Sequence, residues 1–272
     1  MVETQSGYVQ VDGGKLYYEM AGEGETVVLV HAGFVDSGMW DGQFEEFAKQ
    51  YRVIQYDMRG FGKSDVATGP VCRRADLYGV LTALGIEEAH LIGCSIGGET
   101  VIDFALEHPE IVKSLVVVSA TPSGFEMQGE PPPFLLEMMG AIQEGNLEYA
   151  SELQVRIWVD GMFREPEPVN TDIREQAAEM NWIAVKNGTW MIADLQPLTP
   201  LHPPAIGRLG ELSVPTLIMA GALDHTEISR AADVMVTEIK GAEKVILDSA
   251  AHVPMMEKAM EFNRAVLDFL GG

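Results

Sequence analysis

The chain of 272 residues carries 41 acidic and 18 basic side chains, a formal net charge of −23, and 47% of its residues are hydrophobic. This composition is ordinary for a globular protein with one large core. So acidic a chain repels phosphate groups, which argues against nucleic acids and anionic membranes as partners.

The start of the chain and its cysteines bear on the compartment. Residues 1–5 have neither the basic segment nor the apolar core of a signal peptide, and no apolar run reaches the roughly 18 residues of a membrane helix. Cys72 and Cys94 are too few for a disulfide framework, so we expect both to be reduced in a cytoplasmic protein. No His and Cys spacing is typical of a metal site, and we expect no metal. The sequence leaves a monomer and a homodimer equally open.

The first 118 residues alternate between strand and helix patterns. Two alternating apolar runs on either side of Asp12-Gly13-Gly14 predict a hairpin over residues 8–20. Apolar runs predict buried strands at residues 27–30, 52–56, 89–92 and 115–118. Helical spacing between them predicts helices near residues 40–47 and 73–84 and after Gly97. This alternation predicts a mainly parallel, doubly wound sheet.

The stretch from residue 122 to residue 204 has a different character. It is rich in proline, lacks a strand-like run, and shows helical patterns at residues 134–142, 147–159 and 173–185. Strand patterns resume at 215–220 and 244–247, and a closing helix is predicted at 256–269. We therefore predict an α/β core of about eight strands, residues 1–121 and 205–272, with a helical cap, residues 122–204, inserted after the sixth strand.

The strand at residues 89–92 runs into the sequence Gly-Cys-Ser-Ile-Gly, and a helix pattern begins at once. Strand, tight turn and helix form the context of a nucleophile elbow. Gly93 and Gly97 leave room for a serine on a sharp turn. We therefore predict that Ser95 is a nucleophile; the plainer interpretation is a glycine-rich turn without chemistry.

A nucleophilic serine needs a base, and the base needs an orienting carboxylate. Asp224 and His252 each follow a predicted strand, at the edge of the sheet where ligands of open α/β sheets bind. Asp248, four residues before His252, is the rival acid. The amides of Ile96 and Gly33 are the predicted oxyanion donors, with the amide of Phe34 as second choice to that of Gly33.

Two further predictions concern the surroundings of these residues. His31 directly follows a strand, and we interpret it as shaping its loop through hydrogen bonds; Asp57 and Arg59 suggest an ion pair around a glycine turn. An apolar substrate pocket is also expected, since the cap and the nearby loops supply large apolar side chains. The predicted pocket residues are Phe34, Trp158, Phe163, Trp182, Trp190 and Val253.

With these motifs the chain resembles the α/β-hydrolase superfamily, and specifically its small capped esterase and enol-lactonase-like branch. The matching pieces are His31-Ala32-Gly33 and residues 57–64, 93–98, 221–224 and 251–252. The resemblance implies a triad of Ser95, Asp224 and His252, no cofactor, and a cap that shapes the pocket. A serine at the elbow speaks against the haloalkane dehalogenase and epoxide hydrolase branches, which have aspartate there.

The expected activity is hydrolysis of a small-molecule carboxylic ester or lactone, with a short to medium acyl chain, through an acyl-enzyme. The first alternative uses the same triad to hydrolyse a C–C bond of a vinylogous diketone or to open an enol-lactone. The second is a non-catalytic ligand-binding protein, because one fold hosts unrelated functions.

Overall fold

The computed structural model describes residues 3–166, 169–195 and 197–271. Its strands are β1 (Thr4–Val11), β2 (Gly14–Ala21), β3 (Thr26–Val30), β4 (Arg52–Tyr56), β5 (Ala89–Cys94), β6 (Val112–Val118), β7 (Thr216–Gly221) and β8 (Glu243–Leu247). They form one sheet in the order β1-β2-β4-β3-β5-β6-β7-β8. β2 pairs antiparallel with β1 and β4, and every other pair is parallel. The predicted, mainly parallel sheet of about eight strands is confirmed.

The helices of the core alternate with the strands. They are α1 (Asp41–Phe47), α2 (Arg73–Ala83) and α3 (Ile96–Glu107) before the cap, and α7 (Thr226–Glu238), α8 (Pro254–Glu257) and α9 (Ala259–Leu270) after it. Short 3₁₀ turns lie at Ser37–Trp40, Ala205–Gly207 and Leu209–Glu211. Helices therefore connect the parallel strands, as crossover connections require.

Apolar side chains leave the central strands on both faces of the sheet. All residues of β3, β5 and β7 are buried, as expected of parallel strands covered on two sides. Val28 and Val30 pack in one apolar cluster with α2 and α3. Val27 and Leu29 point the other way and pack with α1 and α9. The two clusters form the core, one on each face.

Between β6 and β7 lie the helices of the predicted cap. They are α4 (Leu135–Gln143), α5 (Leu147–Val155), a first π-helical turn (Arg156–Asp160), α6 (Thr171–Lys186) and a second π-helical turn (Trp190–Asp194). This segment has a small apolar cluster of its own, including Met138 and Leu153. Val155 and Val159 belong instead to the core cluster that contains Phe34. The cap segment is therefore packed into the core as well as on itself.

Several details differ from the sequence-based expectations. The helix predicted over residues 147–159 is α-helical only to Val155, and the closing helix is divided at Lys258, whose backbone is not helical. The predicted ion pair of Arg59 with Asp57 is wrong, because Arg59 pairs with Asp76 on α2. Asp57 instead accepts hydrogen bonds from two residues of neighbouring turns.

The bounds of the two predicted domains, 1–121 with 205–272 and 122–204, stay a prediction. Residues 1, 2, 167, 168, 196 and 272 fall within them and lie outside the described residues. In the described part of the chain, no helix is both long and apolar enough to span a bilayer. Cys72 and Cys94 are both free thiols.

The site begins at the carboxyl edge of the parallel strands. The loops that follow β3, β5, β7 and β8 meet there, since these strands run in the same direction. They carry Gly33, Ser95, Asp224 and His252, respectively. The topology alone thus brings the predicted site residues to one edge of the sheet.

Candidate active site

Ser95 sits on a strained turn between β5 and α3. Its φ is 56° and its ψ is −120°. Residues other than glycine rarely adopt this backbone conformation, and such strained residues recur at functional sites. A Cβ on Gly93 would lie 2.2 Å from the carbonyl oxygen of Gly97, and a Cβ on Gly97 would lie 2.3 Å from that of Val30. Only glycine fits at both positions, so these two residues allow the turn that presents Ser95.

The residues predicted to donate oxyanion hydrogen bonds lie around the same turn. Ile96 is the first residue of α3, and the N–H groups of a helix's first turn have no acceptor within the helix. Gly33 lies so close to it that a Cβ would be 3.0 Å from the Cγ2 atom of Ile96. Gly33, Phe34, Ser95 and Ile96 line one cavity together. The structure therefore places these residues beside Ser95, and their role as oxyanion donors stays a prediction.

His252 and Asp224 form a buried pair. The Nδ1 atom of His252 donates to the Asp224 carboxylate, with distances of 2.9 and 3.1 Å to its two oxygens, and both side chains are 3% exposed. The N–H of His225, which caps α7, donates to the same carboxylate at 2.7 Å. Asp248, the rival acid, is exposed. A carboxylate held in this way fixes the ring and its tautomer, leaving Nε2 free to accept a proton.

Cys94 and His31 are both held in neutral forms. Burial raises the pKa of the Cys94 thiol well above its usual value, and the thiol donates to the carbonyl oxygen of His252. Burial lowers the pKa of His31 to about 4. Its Nε2 atom accepts from the N–H of Met58, so the proton is on Nδ1, which donates to Ala32. His31 thus shapes the loop that leads to Gly33, as its position suggests.

Ser95 opens on two cavities. The first, which we call the apolar cavity, measures about 200 Å³ and includes Gly33, Ser95 and Ile96. Its bulky lining residues are Phe34, Leu135, Met138, Trp158 and Trp190. Most of these side chains come from the cap segment, so the cap forms the wall opposite Ser95.

The second, which we call the polar cavity, measures about 260 Å³ and includes Ser95, His252 and Trp158. Its other polar lining residues are Glu99, Ser119, Thr121, Asp194 and His225. Ser119 is 1% exposed, and its hydroxyl has no hydrogen-bond partner among the described residues. Ser95 and His252 therefore share one cavity, whose lining includes the carboxyl groups of Glu99 and Asp194.

Some predicted pocket residues are not at the site. Phe34, Trp158 and Trp190 line the cavities, but Trp182 projects from α6 with 38% of its surface exposed. Phe163 is 53% exposed and lines a separate cavity on the outside of the cap. Val253 is wholly buried in the core cluster and lines neither cavity. The prediction that Trp182, Phe163 and Val253 line the pocket is not met, because none of them lines a cavity that includes Ser95.

Sequence reasoning missed the two acidic residues of the polar cavity. Glu99 lies one helical turn after Ser95 on α3, and burial with the nearby charges of Asp103 and Asp194 raises the pKa of Glu99 to about 7. Asp194 also lines the apolar cavity and pairs with Arg73 at 2.7 Å. The spacing of four residues from Ser95 is a signal for Glu99, whereas Asp194 reaches the site only through the fold of the cap.

The side chains around Ser95 indicate which kind of chemistry the site could perform. Among residues 3–166, 169–195 and 197–271, no group of three or more His, Cys, Asp or Glu side chains is arranged to hold a metal ion. The groups at Ser95 are instead those of nucleophilic catalysis: a hydroxyl, an imidazole paired with a carboxylate, and backbone amides.

Comparison with known proteins places this geometry in a family. A family model described as alpha/beta hydrolase fold matches residues 25–259. The chain is 30% identical to a 2-hydroxy-6-oxo-6-phenylhexa-2,4-dienoate hydrolase of Comamonas testosteroni, over 94% of this chain and 91% of the relative. It is 26% identical to the carboxylesterase YbfK of Bacillus subtilis, over 100% and 89%.

Solved structures agree on the fold. The crystal structure of the enol-lactonase from Burkholderia xenovorans LB400 superposes with a TM-score of 0.78 at 23% identity, covering 98% of this chain and 100% of the other. The chain therefore belongs to the α/β-hydrolase fold family, as its sequence motifs predict.

Proposed function

We propose that this α/β-hydrolase cleaves carboxylic esters, with Ser95 as nucleophile, His252 as base and Asp224 as the acid that orients the base. The observation that carries the proposal is the buried His252–Asp224 pair, whose histidine lines the same cavity as a serine held at positive φ. Nucleophile, base and orienting acid in this relation are recognised by geometry rather than by sequence position.

In the proposed reaction, the Nε2 atom of His252 removes the hydroxyl proton of Ser95 as the serine oxygen attacks the ester carbonyl. The amides of Ile96 and Gly33, or of Phe34, hold the negative oxygen of the tetrahedral intermediate. The intermediate expels the alcohol, which takes the proton from His252, and the acyl group remains on Ser95. Water activated by His252 then releases the acid and restores the serine.

The cavities indicate the substrate class. The volume of the apolar cavity suits a short to medium acyl chain or a lactone, and the similarity to a protein named carboxylesterase supports ester hydrolysis. The cavity linings favour a neutral substrate over an anionic one. The acidic Glu99 lines the polar cavity, Asp194 lines both cavities but is paired with Arg73, and neither cavity includes an Arg or Lys side chain among the described residues.

The second candidate is hydrolysis of a C–C bond by the same triad. It is supported by the relative that is 30% identical, whose name specifies a dienoate, which carries a carboxylate. A carboxylate is recognised best by Arg, which these cavities lack among the described residues. We therefore place ester hydrolysis first and C–C hydrolysis second.

The test is hydrolysis of p-nitrophenyl acetate and butyrate by the wild type, by Ser95→Ala and by Ser213→Ala as a matched control, since Ser213 is exposed. Loss of the nucleophile is expected to lower kcat by roughly a thousandfold or more while the far-UV circular dichroism spectrum is retained. Full activity in Ser95→Ala would contradict the proposed nucleophile.

Two further measurements separate the alternatives. A panel of neutral esters, lactones and vinylogous diketones compares kcat/KM between the two candidate reactions, and a higher value for diketones would reverse their order. A fluorophosphonate probe, located by mass spectrometry, is expected to label Ser95. A wild-type protein that the probe leaves unlabelled would support the non-catalytic ligand-binding alternative instead.

A further inference from the structure

The face of the His252 imidazole is covered by a side chain from the cap. The ring of Trp158 lies 4.8 Å from the imidazole, centroid to centroid, at an interplanar angle of 40°. Phe34 completes the group, with its ring centroid 6.4 Å from each of the other two. Trp158 belongs to the first π-helical turn, a feature that is frequent at functional sites. The cap thus contacts the base directly.

The same π-helical turn is joined to the loop of His252 by one arginine. The guanidinium of Arg164 donates to the carbonyl oxygen of Val159 at 2.8 Å and to that of Asp160 at 2.6 Å. It also donates to the carbonyl oxygen of Ser249 at 3.2 Å, in the loop that leads to His252. Arg164 therefore links the end of the π-helical turn to this loop.

Glu257 completes the link from the other side. Its carboxylate pairs with Arg164, the two side chains being 7% and 12% exposed, respectively. The second carboxylate oxygen accepts from the N–H of Ala251 at 2.8 Å, immediately before His252. The Arg164–Glu257 ion pair therefore lies between the π-helical turn and the backbone of the His252 loop.

The first π-helical turn packs closely against the loops that carry His252 and Asp224. A Cβ added to Gly161, at the end of the π-helical turn, would lie 2.8 Å from the Cβ of Ala251 and 3.0 Å from the carbonyl oxygen of Leu223. These two residues directly precede His252 and Asp224 in the sequence. The turn therefore packs against both loops that carry the buried pair.

The turn is also fixed within the cap. The side chain of Asp160 is fully buried and accepts from Arg174 on α6 at 2.7 and 3.0 Å. Arg156 lies 3.7 Å from the same carboxylate. Because α6 holds the turn on one side and the His252 loop holds it on the other, displacement of either element would move Trp158 relative to His252.

We propose that the Arg164–Glu257 ion pair and Trp158 position the His252 imidazole, so that a segment of the cap fixes the base. The inference rests on the proposed function, since it takes His252 as the base. Arg164 and Glu257 line neither the apolar nor the polar cavity. They therefore act on His252 through the backbone of the π-helical turn and of the His252 loop, which they join.

The test compares the rate constant for fluorophosphonate labelling of Ser95 with kcat and KM for p-nitrophenyl butyrate. The main variant is Arg164→Met/Glu257→Leu, which removes both charges together and avoids leaving one buried charge unpaired. Displacement of a catalytic group by about 1 Å can lower a rate a hundredfold. We expect the labelling rate constant and kcat to fall at least tenfold, with KM changed less than twofold. A purely structural defect would lower the labelled fraction and leave the rate constant of the labelled molecules unchanged.

Trp158 is tested separately, because its variants keep the ion pair. Trp158→Phe retains an aromatic ring against His252 and is expected to keep the labelling rate constant within about threefold. Trp158→Leu removes the ring and is expected to lower the constant about tenfold. Trp182→Leu is the matched control, since Trp182 is an exposed tryptophan of the cap, and it should label at the wild-type rate.

The outcomes distinguish this inference from the function on which it rests. Labelling of wild-type Ser95 supports the proposed nucleophile whatever the variants do. Wild-type rate constants in both Arg164→Met/Glu257→Leu and Trp158→Leu would overturn the positioning role alone. Failure of the probe to label the wild type would remove the proposed function and the positioning role together.

Discussion

Gly97 is one of the two glycines on which the turn at Ser95 depends. A Cβ there would meet the carbonyl oxygens of Val30 and His31 at 2.3 and 2.5 Å, in the backbone of the adjacent strand end. Backbone atoms cannot move aside as a flexible side chain does. We predict that Gly97→Ala lowers the free energy of unfolding by roughly 3 kcal/mol or more and abolishes labelling of Ser95.

The matched control is Gly140→Ala in α4. No atom lies within 4 Å of the added Cβ, and alanine favours a helix more than glycine does. This variant should gain about 0.5–1 kcal/mol in urea unfolding. Equal unfolding curves for the two variants would show that the close approach at Gly97 does not limit the turn.

Glu99 makes the stability of the protein depend on pH. Its pKa is raised from 4.5 to about 7, chiefly by burial, so between these values the folded state binds a proton that the unfolded state has lost. Stability then falls as pH rises through this window. At pH 8, Glu99→Gln should be more stable than the wild type by roughly 2–3 kcal/mol, and at pH 4 the two should be nearly equal.

Urea unfolding at pH 4, 6 and 8 measures this difference. Glu23→Gln, at an exposed position in the loop between β2 and β3, is the control and should follow the wild-type curve at each pH. A Glu99→Gln variant with the same advantage at pH 4 as at pH 8 would assign its effect to packing rather than to the carboxyl charge.

The residues at the site differ in how far the sequence reveals them. Ser95, Asp224 and His252 each follow an apolar strand within a few positions, so recognising the strands also locates these side chains. Glu99 was missed although it lies one helical turn from Ser95. Asp194 lies almost 100 residues further along the chain and reaches the cavity only through the packing of the cap, which no local pattern specifies.

At the scale of single elements, the cap was predicted with the right helices but the wrong details. The helical spacing of residues 147–159 does not show that an α-helix gives way to a π-helical turn at Arg156. That turn is held by contacts with Arg164 and Arg174, both outside it in the sequence. Trp182 likewise lies in a segment with helical spacing of apolar residues. The spacing does not show which face of that helix is exposed, because this depends on tertiary packing.

An ion pair joins α2 to the second π-helical turn of the cap. Arg73 donates two hydrogen bonds to Asp194, at 2.7 and 2.9 Å, and the side chains are 7% and 5% exposed. Removing the cation alone leaves a buried carboxylate without a partner. We predict that Arg73→Met lowers the free energy of unfolding by roughly 3–5 kcal/mol, and that Arg73→Met/Asp194→Leu recovers most of this loss.

Arg74→Met is the matched control, since the neighbouring Arg74 pairs with the more exposed Glu107. Its loss should stay near or below about 1 kcal/mol. A double-mutant cycle in urea gives the coupling free energy of the Arg73–Asp194 pair. Strictly additive losses in that cycle would show that the pair does not connect α2 with the cap energetically.

At the scale of the whole molecule, alternating apolar strands and helices are enough to predict a mainly parallel sheet. They do not determine that β4 lies outside β3, because the order depends on which crossover the chain takes. The position of the cap over the site is also a tertiary property. It arises where Val155 and Val159 join the core cluster of Phe34, and no periodicity in the cap specifies that partner.

The charge of the molecule predicts how it selects substrates if it hydrolyses esters. A net charge of −23, with Glu99 at the polar cavity, opposes the approach and binding of an anionic ester. Monomethyl glutarate carries a carboxylate and dimethyl glutarate does not, although their shapes are similar. At 10 mM salt, we expect kcat/KM for the hemiester to be at most about one-tenth of the value for the diester.

Measuring kcat/KM at two salt concentrations distinguishes the effect of the overall charge from that of charges at the cavity. The Debye length falls from about 30 Å at 0.01 M salt to about 3 Å at 1 M, so the part of the difference that comes from the overall charge should disappear. The part due to Glu99 should persist in 1 M salt, because a buried charge is screened less, and should shrink in Glu99→Gln at pH 8. Equal kcat/KM values for the two glutarates at 10 mM salt would contradict this electrostatic selection. The argument against a carboxylate-bearing substrate would then fail, and C–C bond hydrolysis would be as well supported as ester hydrolysis.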